Sequence, residues 1–333
     1  MWKGDAKTLG FYVDDDEVGF INSFFSSTAK FDAAGNVMSL LFGDKFKGET
    51  DLTGKNYAFY GLFSSNSKLV NAQNISLPAI TLADSCYREM FDGCTSLKTA
   101  PELPATTLAS GCYSAMFYGC TSLVTAPTLP ATTLASGCYS GMFYGCTSLV
   151  TAPELPATTL AEGCYQQMFK GCTGLTTAPS VLPATTLATN CYQNMFRDCT
   201  SLVTAPELPA TTLASNCYRQ MFYGCTSLTT APSVLPATTL ESYCYGYMFD
   251  GCTSLVKAPT LPAKTLASDC YQYMFRGCSS LKHIKCLATD ISASNCLSNW
   301  VSGVASTGTF VKAASMTSWR RGIHGIPKGW TVQ

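Results

Sequence analysis

Histidine is nearly absent from the 333-residue chain: only His283 and His324 occur, neither in a metal-ligand spacing nor beside an obvious nucleophile. Charge is scarce too. Charged residues make up 13% of the chain and the formal net charge is zero, against about a quarter charged in ordinary globular domains. No basic stripe exists, which argues against nucleic acid as a partner. No apolar run is long enough to span a membrane. Phosphate loops, nucleotide fingerprints and a catalytic serine context are missing. The sparse carboxylates form no acid–base pair: Glu102, Glu154 and Glu207 share one repeat position with Thr128 and Thr260, which marks a tolerant surface position. The sequence therefore reads as non-catalytic, with no cofactor and no metal. The opening MWKGDAKTLG lacks a signal-peptide apolar region; the expectation is a removed signal or anchor, or an upstream domain, on an extracellular or cell-surface protein.

What the chain has in abundance is one sentence of sequence. Residues 103–128 read LPATTLASGCYSAMFYGCTSLVTAPT, and residues 129–154 differ from them at two positions. The motif C-Y-x-x-M-F-x-x-C recurs from Cys86 through Cys112, Cys138, Cys164, Cys191, Cys217, Cys244 and Cys270, at intervals of 26, 26, 26, 27, 26, 27 and 26. The two longer intervals come from Ser180 with Val181 and Ser233 with Val234, standing where other copies hold one residue. An insertion absorbed without loss of register belongs in a loop or bulge. A fixed period of this size means a solenoid, in which each unit buries its apolar face against its neighbours.

Within one copy, Cys112, Met116 and Cys120 fall at i, i+4 and i+8, with Tyr113 and Phe117 beside them. That stripe predicts a short helix of about two turns, with Ser110 as N-cap and Gly119 as its stop. Residues 123–126 predict a short strand ended by Pro127. Residues 131–134 predict a second extended piece, with Leu134 inward and the threonines outward. The result is an α/β repeat solenoid of about eight turns of 26–27 residues, each a short strand plus a short helix. Strands stack at about 4.8 Å and helices need about 8–10 Å, so the helical side should be convex and the strand side concave.

Eighteen cysteines invite disulfides, but Cys112 and Cys120 on a helix would lie about 12 Å apart, beyond bonding reach. Equivalent cysteines on a convex helical side would also be too far apart. Core thiols are the expectation, with Cys286 and Cys296, partly off register, as the candidates for exception.

The string M-F-x-G-C-T-S-L followed by a proline-flanked strand resembles the BspA-like, or treponemal-type, leucine-rich repeats over roughly residues 77–287. The resemblance implies a right-handed leucine-rich-repeat superhelix. It also implies a bacterial surface or secreted protein that adheres to host proteins, glycans or other cells. Three departures stand out: a longer unit, Met before the Phe where the family more often has Ala, and Ala-Pro after the strand leucine.

The organisation then reads as an N-terminal α+β cap over residues 1–59, a solenoid over 60–290 and a C-terminal segment over 291–333. The solenoid's worn first turn is 60–76, where Phe63 and Leu69 match Phe91 and Leu97, and full repeats fill 77–290. The last segment holds an eroded turn at Cys296 and Trp300, then a cap carrying Trp319 and Trp330. Strand-like residues 10–13 and an acidic run at 14–17, read as a solvated turn, belong to the first cap. The candidate ligand surface is the strand side: Val124, Thr125, Val150, Thr151, Thr176, Thr177, Val203, Thr204, Thr229 and Thr230. The positions after Cys-Tyr and after Phe vary from copy to copy and form a competing surface. Tyr113 and its equivalents are expected to be partly buried. A monomeric adhesion module is one reading; a structural spacer without a ligand is the alternative, which the near-identity of successive copies favours.

Overall fold

In the computed structural model the described residues are 27–317 and 319–333; the strand-like run at 10–13 and the acidic run at 14–17 lie outside them. The polypeptide winds into stacked turns held by parallel pairing. Two sheets mark the ends. Strands β1 (Phe31–Asn36) and β2 (Leu69–Ser76) pair in parallel. Strands β3 (Lys257–Leu261), β4 (His283–Cys286), β5 (Thr309–Lys312) and β6 (Thr331–Val332) form a second parallel sheet in that order. Between them the strands expected at residues 123–126 shrink to single-residue bridges. One column runs Asn71, Thr99, Thr125, Thr151, Thr177, Thr204, Thr230, each bridged to the next. The prolines two residues on, such as Pro127, cannot donate to a ladder and stop it from lengthening. Shorter columns join Thr133 to Thr159 and Thr186 to Thr212. The two insertions lie on the surface: Ser180 bends, and Val181 bridges Glu207, as Val234 bridges Thr260.

The helix expected in every copy is not there. The described α-helix is one turn, α1 (Ser39–Phe42), followed by a 3₁₀ turn at Gly43–Lys45. Residues 109–120 instead form a ribbon of consecutive β-turns. Cys112, Ser114, Met116, Tyr118 and Cys120 each donate their N–H to the carbonyl three residues back. The residues between them, Gly111, Tyr113, Ala115, Phe117 and Gly119, donate to the following copy at Ser136, Cys138, Ser140, Met142 and Tyr144. Gly111, Ala115 and Gly119 have φ of 59°, 53° and 66°. A left-handed residue at the third position is the signature of a type II turn, so type II turns alternate with turns that lack it. An α-helix would have kept every N–H for itself. The ribbon gives half of them away, and its copies close to β-like spacing: Phe91 stacks on Phe117 at 5.4 Å and Tyr87 on Tyr113 at 5.7 Å, with interplanar angles of 1° and 10°. The predicted convexity, which rested on helix-to-helix distances, loses its cause.

The core is a set of columns, one residue type each. Cysteine, tyrosine, methionine, phenylalanine, cysteine and leucine columns are 0–1% exposed from Cys86 through Leu281. The tyrosines, expected to be half-buried, are wholly inside and stack ring on ring from Tyr87 to Tyr271. At one end Phe59 and Phe63 cover the two aromatic columns. At the other, Trp300 lies 6.3 Å from the Tyr271 ring, and Trp319 stacks on Trp300 at 6.2 Å. Stacked rings in a dry interior add to the area they bury.

Candidate binding surfaces

All eighteen cysteines are free and buried, Cys286 and Cys296 included. The geometric reason given for that expectation does not survive, because ribbon neighbours sit at β-like spacing. The second cysteine of each copy is held by a thiol hydrogen bond. Cys120 Sγ donates to Phe91 O at 3.1 Å, and Cys146 Sγ to Phe117 O at 3.1 Å; the same pairing runs from Cys94 to Cys278. Phe117 O thus takes one bond from the Cys120 N–H and a second from the thiol of the next copy. Burial pushes the Cys94, Cys112 and Cys172 thiols up to about 12, so they remain protonated and are not thiolate nucleophiles.

Of the two histidines, His283 sits in β4, where burial, then Lys257 and Lys285, hold its pKa below the usual value. His324 Nδ1 accepts the Asn299 N–H at 2.9 Å. Among the described residues no group of three His, Cys, Asp or Glu side chains is placed to hold a metal. An open depression lined by Ala100, Pro101, Glu102, Ala126, Pro127 and Thr128 holds one carboxylate and one hydroxyl.

Two faces remain. On the bridge face the strand-side residues form two adjacent columns. Val124, Val150 and Val203 are 49%, 46% and 45% exposed, and Val256 extends the row at 50%. Thr176 and Thr229 occupy that row where valine is missing, and their hydroxyls donate to Val150 O and Val203 O at 3.3 Å. Thr125, Thr151, Thr177, Thr204 and Thr230 are the bridge column beside it, all exposed. The structure thus brings all ten sequence-derived candidates onto one regular, uncharged strip.

The turn-ribbon face is irregular. Tyr118 and Tyr144 stack at 4.6 Å, and Lys170 lies 5.0 Å from the Tyr144 ring. Arg197 lies 4.4 Å over Tyr223, and Arg219 5.1 Å over Tyr243. Tyr247 and Tyr273 stack at 4.7 Å beside Arg276, whose Nη2 meets Asp250 Oδ2 at 2.6 Å. Sequence comparison between copies flagged these positions as variable. It could not show that the side chains stack along the axis, which requires the ribbon's close spacing.

No match was found among curated proteins. A solved leucine-rich repeat protein from Bacteroides ovatus is similar at 18% identity, over 82% of this chain and 86% of that one, with a TM-score of 0.28. The model of the BspA type leucine rich repeat region matches residues 56–203, 139–254 and 189–299 in six copies. Those matches together cover most of the chain, and they coincide with the turn ribbons and stacked columns described above: the chain belongs to the BspA-type leucine-rich repeat family.

Proposed function

We propose that this is a non-catalytic, cell-surface or secreted binding protein, which engages a host protein, a glycan or another cell surface along its solenoid. The observation that carries the reading is the strip from Val124 to Val256. Nearly half-exposed β-branched residues stand in a row where packing asks nothing of them, since the core columns behind them are already closed. Isolated exposed apolar residues need no explanation, but an aligned row is a contact surface. Extended regular faces are what repeat proteins use for partners. Among the described residues no helix is long and apolar enough to cross a membrane.

The test is a binding screen against matrix proteins and a glycan array. It compares the wild type with Val124→Asp/Val150→Asp/Val203→Asp and with a variant lacking two central copies in register. Binding lost in both variants supports the strip. Binding kept in both moves the contact to another surface. Binding by none favours the second reading, a structural spacer, which the near-identity of residues 103–128 and 129–154 supports.

A further inference from the structure

The turn-ribbon face changes character between residues 166 and 220. In the two preceding copies the positions after Cys-Tyr hold Ser114 and Ala115, then Ser140 and Gly141. In the next three they hold Gln166 and Gln167, Gln193 and Asn194, Arg219 and Gln220, flanked by Lys170 and Arg197. Cations thus occupy three consecutive copies, over a patch whose other polar groups are mainly amides, with the single carboxylate Asp198 beside Arg197. Arg197 pairs with Asp198 at 3.3 Å. Among the described residues no carboxylate pairs with Lys170 or Arg219. Two polar atoms in the same patch are also unmet: Arg219 Nε and Asn194 Oδ1 are buried with no hydrogen-bond partner, and Asn194 is only 6% exposed.

The cations are ordered before any ligand arrives. Lys170, Arg197 and Arg219 rest on tyrosine faces at 5.0, 4.4 and 5.1 Å, and Arg197 Nη1 also reaches Gln220 Oε1 at 3.5 Å. Side chains fixed in advance lose less entropy on binding. The same stacking occupies ring faces, leaving mainly amide, hydroxyl and cationic groups to meet a ligand. Protein interfaces centre on apolar cores, and no exposed large aliphatic side chain stands in this patch. A partner rich in hydroxyls and regularly anionic matches it.

We propose that residues 166–220 of the turn-ribbon face bind a linear anionic polysaccharide, one bearing carboxylate or sulfate groups, laid along the solenoid axis. Lys170, Arg197 and Arg219 take successive anionic groups, and Gln167 and Gln193 bond the hydroxyls between them. This site is separate from the valine strip and stands on its own observations.

The test uses the intact chain, heparin and polygalacturonate oligomers as the sulfated and carboxylated probes, and dextran as the neutral control. The variant is Lys170→Tyr/Arg197→Tyr/Arg219→Ser. It carries only residues the chain already tolerates at those positions, as in Tyr144, Tyr223 and Ser140, and its fold is checked by circular dichroism. Wild type should bind at least one anionic probe and not dextran, and should release it at about 0.5 M salt, where exposed charges are screened. The triple variant should bind roughly tenfold more weakly or worse, because one charge-assisted hydrogen bond outweighs that factor. The anionic probe bound more tightly identifies the group recognised. Equal binding by variant and wild type, equal binding of dextran, no binding of either polyanion, or tighter binding of a single-stranded DNA oligomer would each overturn the proposal. The valine-strip variant should bind whichever polyanion wild type binds; losing it would place the site on the wrong face. Failure of the polyanion site leaves matrix-protein binding at the strip untouched, so the two readings fail separately.

Discussion

Replacing Gln167 by glycine distinguishes a turn ribbon from a helix by the sign of a stability change. Gln167 has a φ of 58°, and its N–H donates to Gln193 O of the following copy. Holding an L-residue in the left-handed region costs about 1–2 kcal/mol. Glycine removes that strain but gives up about 0.5–1 kcal/mol of chain entropy. The net expectation is a gain of about 0.5–1 kcal/mol. No side-chain hydrogen bond of Gln167 would be lost, and the chain itself holds Gly141 at this position with a φ of 61°. In a helix interior the same change would cost about 1 kcal/mol relative to the best residues. Gln220, at φ 57°, offers a second site. It lies two copies on, though its link to Arg197 makes the gain there smaller. Thermal unfolding of wild type, Gln167→Gly and the double variant reads the result, as a rise of roughly 1 °C for the first change in a chain of this size. Because repeat arrays can unfold in parts, the scan is repeated in urea with two probes, tyrosine fluorescence and far-ultraviolet dichroism. A fall in midpoint by either probe would refute the ribbon as described.

Other outcomes follow from the columns. Phe169→Ala, in the middle of the phenylalanine stack, should cost about 3–5 kcal/mol, seen as a lower urea midpoint; a loss below about 1 kcal/mol would mean that the copies close up over the gap. The buried thiols should ignore a thiol reagent such as dithionitrobenzoate until the protein unfolds, and then react together. Partial reaction of the native protein would place some of them near solvent. Stability should fall in alkali. Burial raises the folded thiols, several to about 12, above about 8.5 in an unfolded chain. Their contribution is complete below the unfolded value and is lost as pH climbs from there toward the folded one. Each such thiol then removes about 1.4 kcal/mol per pH unit, so denaturation between about pH 9 and 11 should be steep. His324→Ala should loosen the last ribbon turn by about 1 kcal/mol, measured as faster amide exchange at Asn299.

The register of the repeat, its inward residues and its free cysteines were all legible in the sequence, because burial imposes one letter per position. Phe63 and Trp300 were visible in the same way, as worn copies at the right distance. The helix was misread for a physical reason. A helix and a ribbon with a left-handed residue every fourth position both bring i, i+4 and i+8 to one side, so Cys112, Met116 and Cys120 satisfy either. Part of the distinguishing signal was present. The position before the first cysteine is Gly or Asn in five of eight copies (Gly111, Gly137, Gly163, Asn190 and Asn216), and the one before the second is Gly in all but Asp198, the residue types that accept positive φ. The middle position gave a weaker hint: Gly141 and Asn194 fit it, but Glu89, Ala115, Gln167 and Tyr247 are held left-handed there by their surroundings. Of the surfaces, the strip at Val124 could be read from alternation alone. The stacking of Arg197 on Tyr223 could not, because it depends on a spacing that the misread helix had doubled.

The ribbon's backbone bonds between copies all point one way: each copy hands its spare N–H groups to the next and receives them with its carbonyls. The stack therefore has a sense, like a row of magnets, and its two ends ask for opposite chemistry. At the C-terminal end the unspent donors of the last turn find acceptors, the Asn299 N–H on His324 Nδ1 and the Val301 N–H on Ile323 O at 3.5 Å. The opposite end offers carbonyls and needs donors. A copy can be added or removed in the interior without disturbing this arrangement, but the two terminal segments are not interchangeable. An engineered array grafted between two copies of the C-terminal segment would leave one end with acceptors facing acceptors.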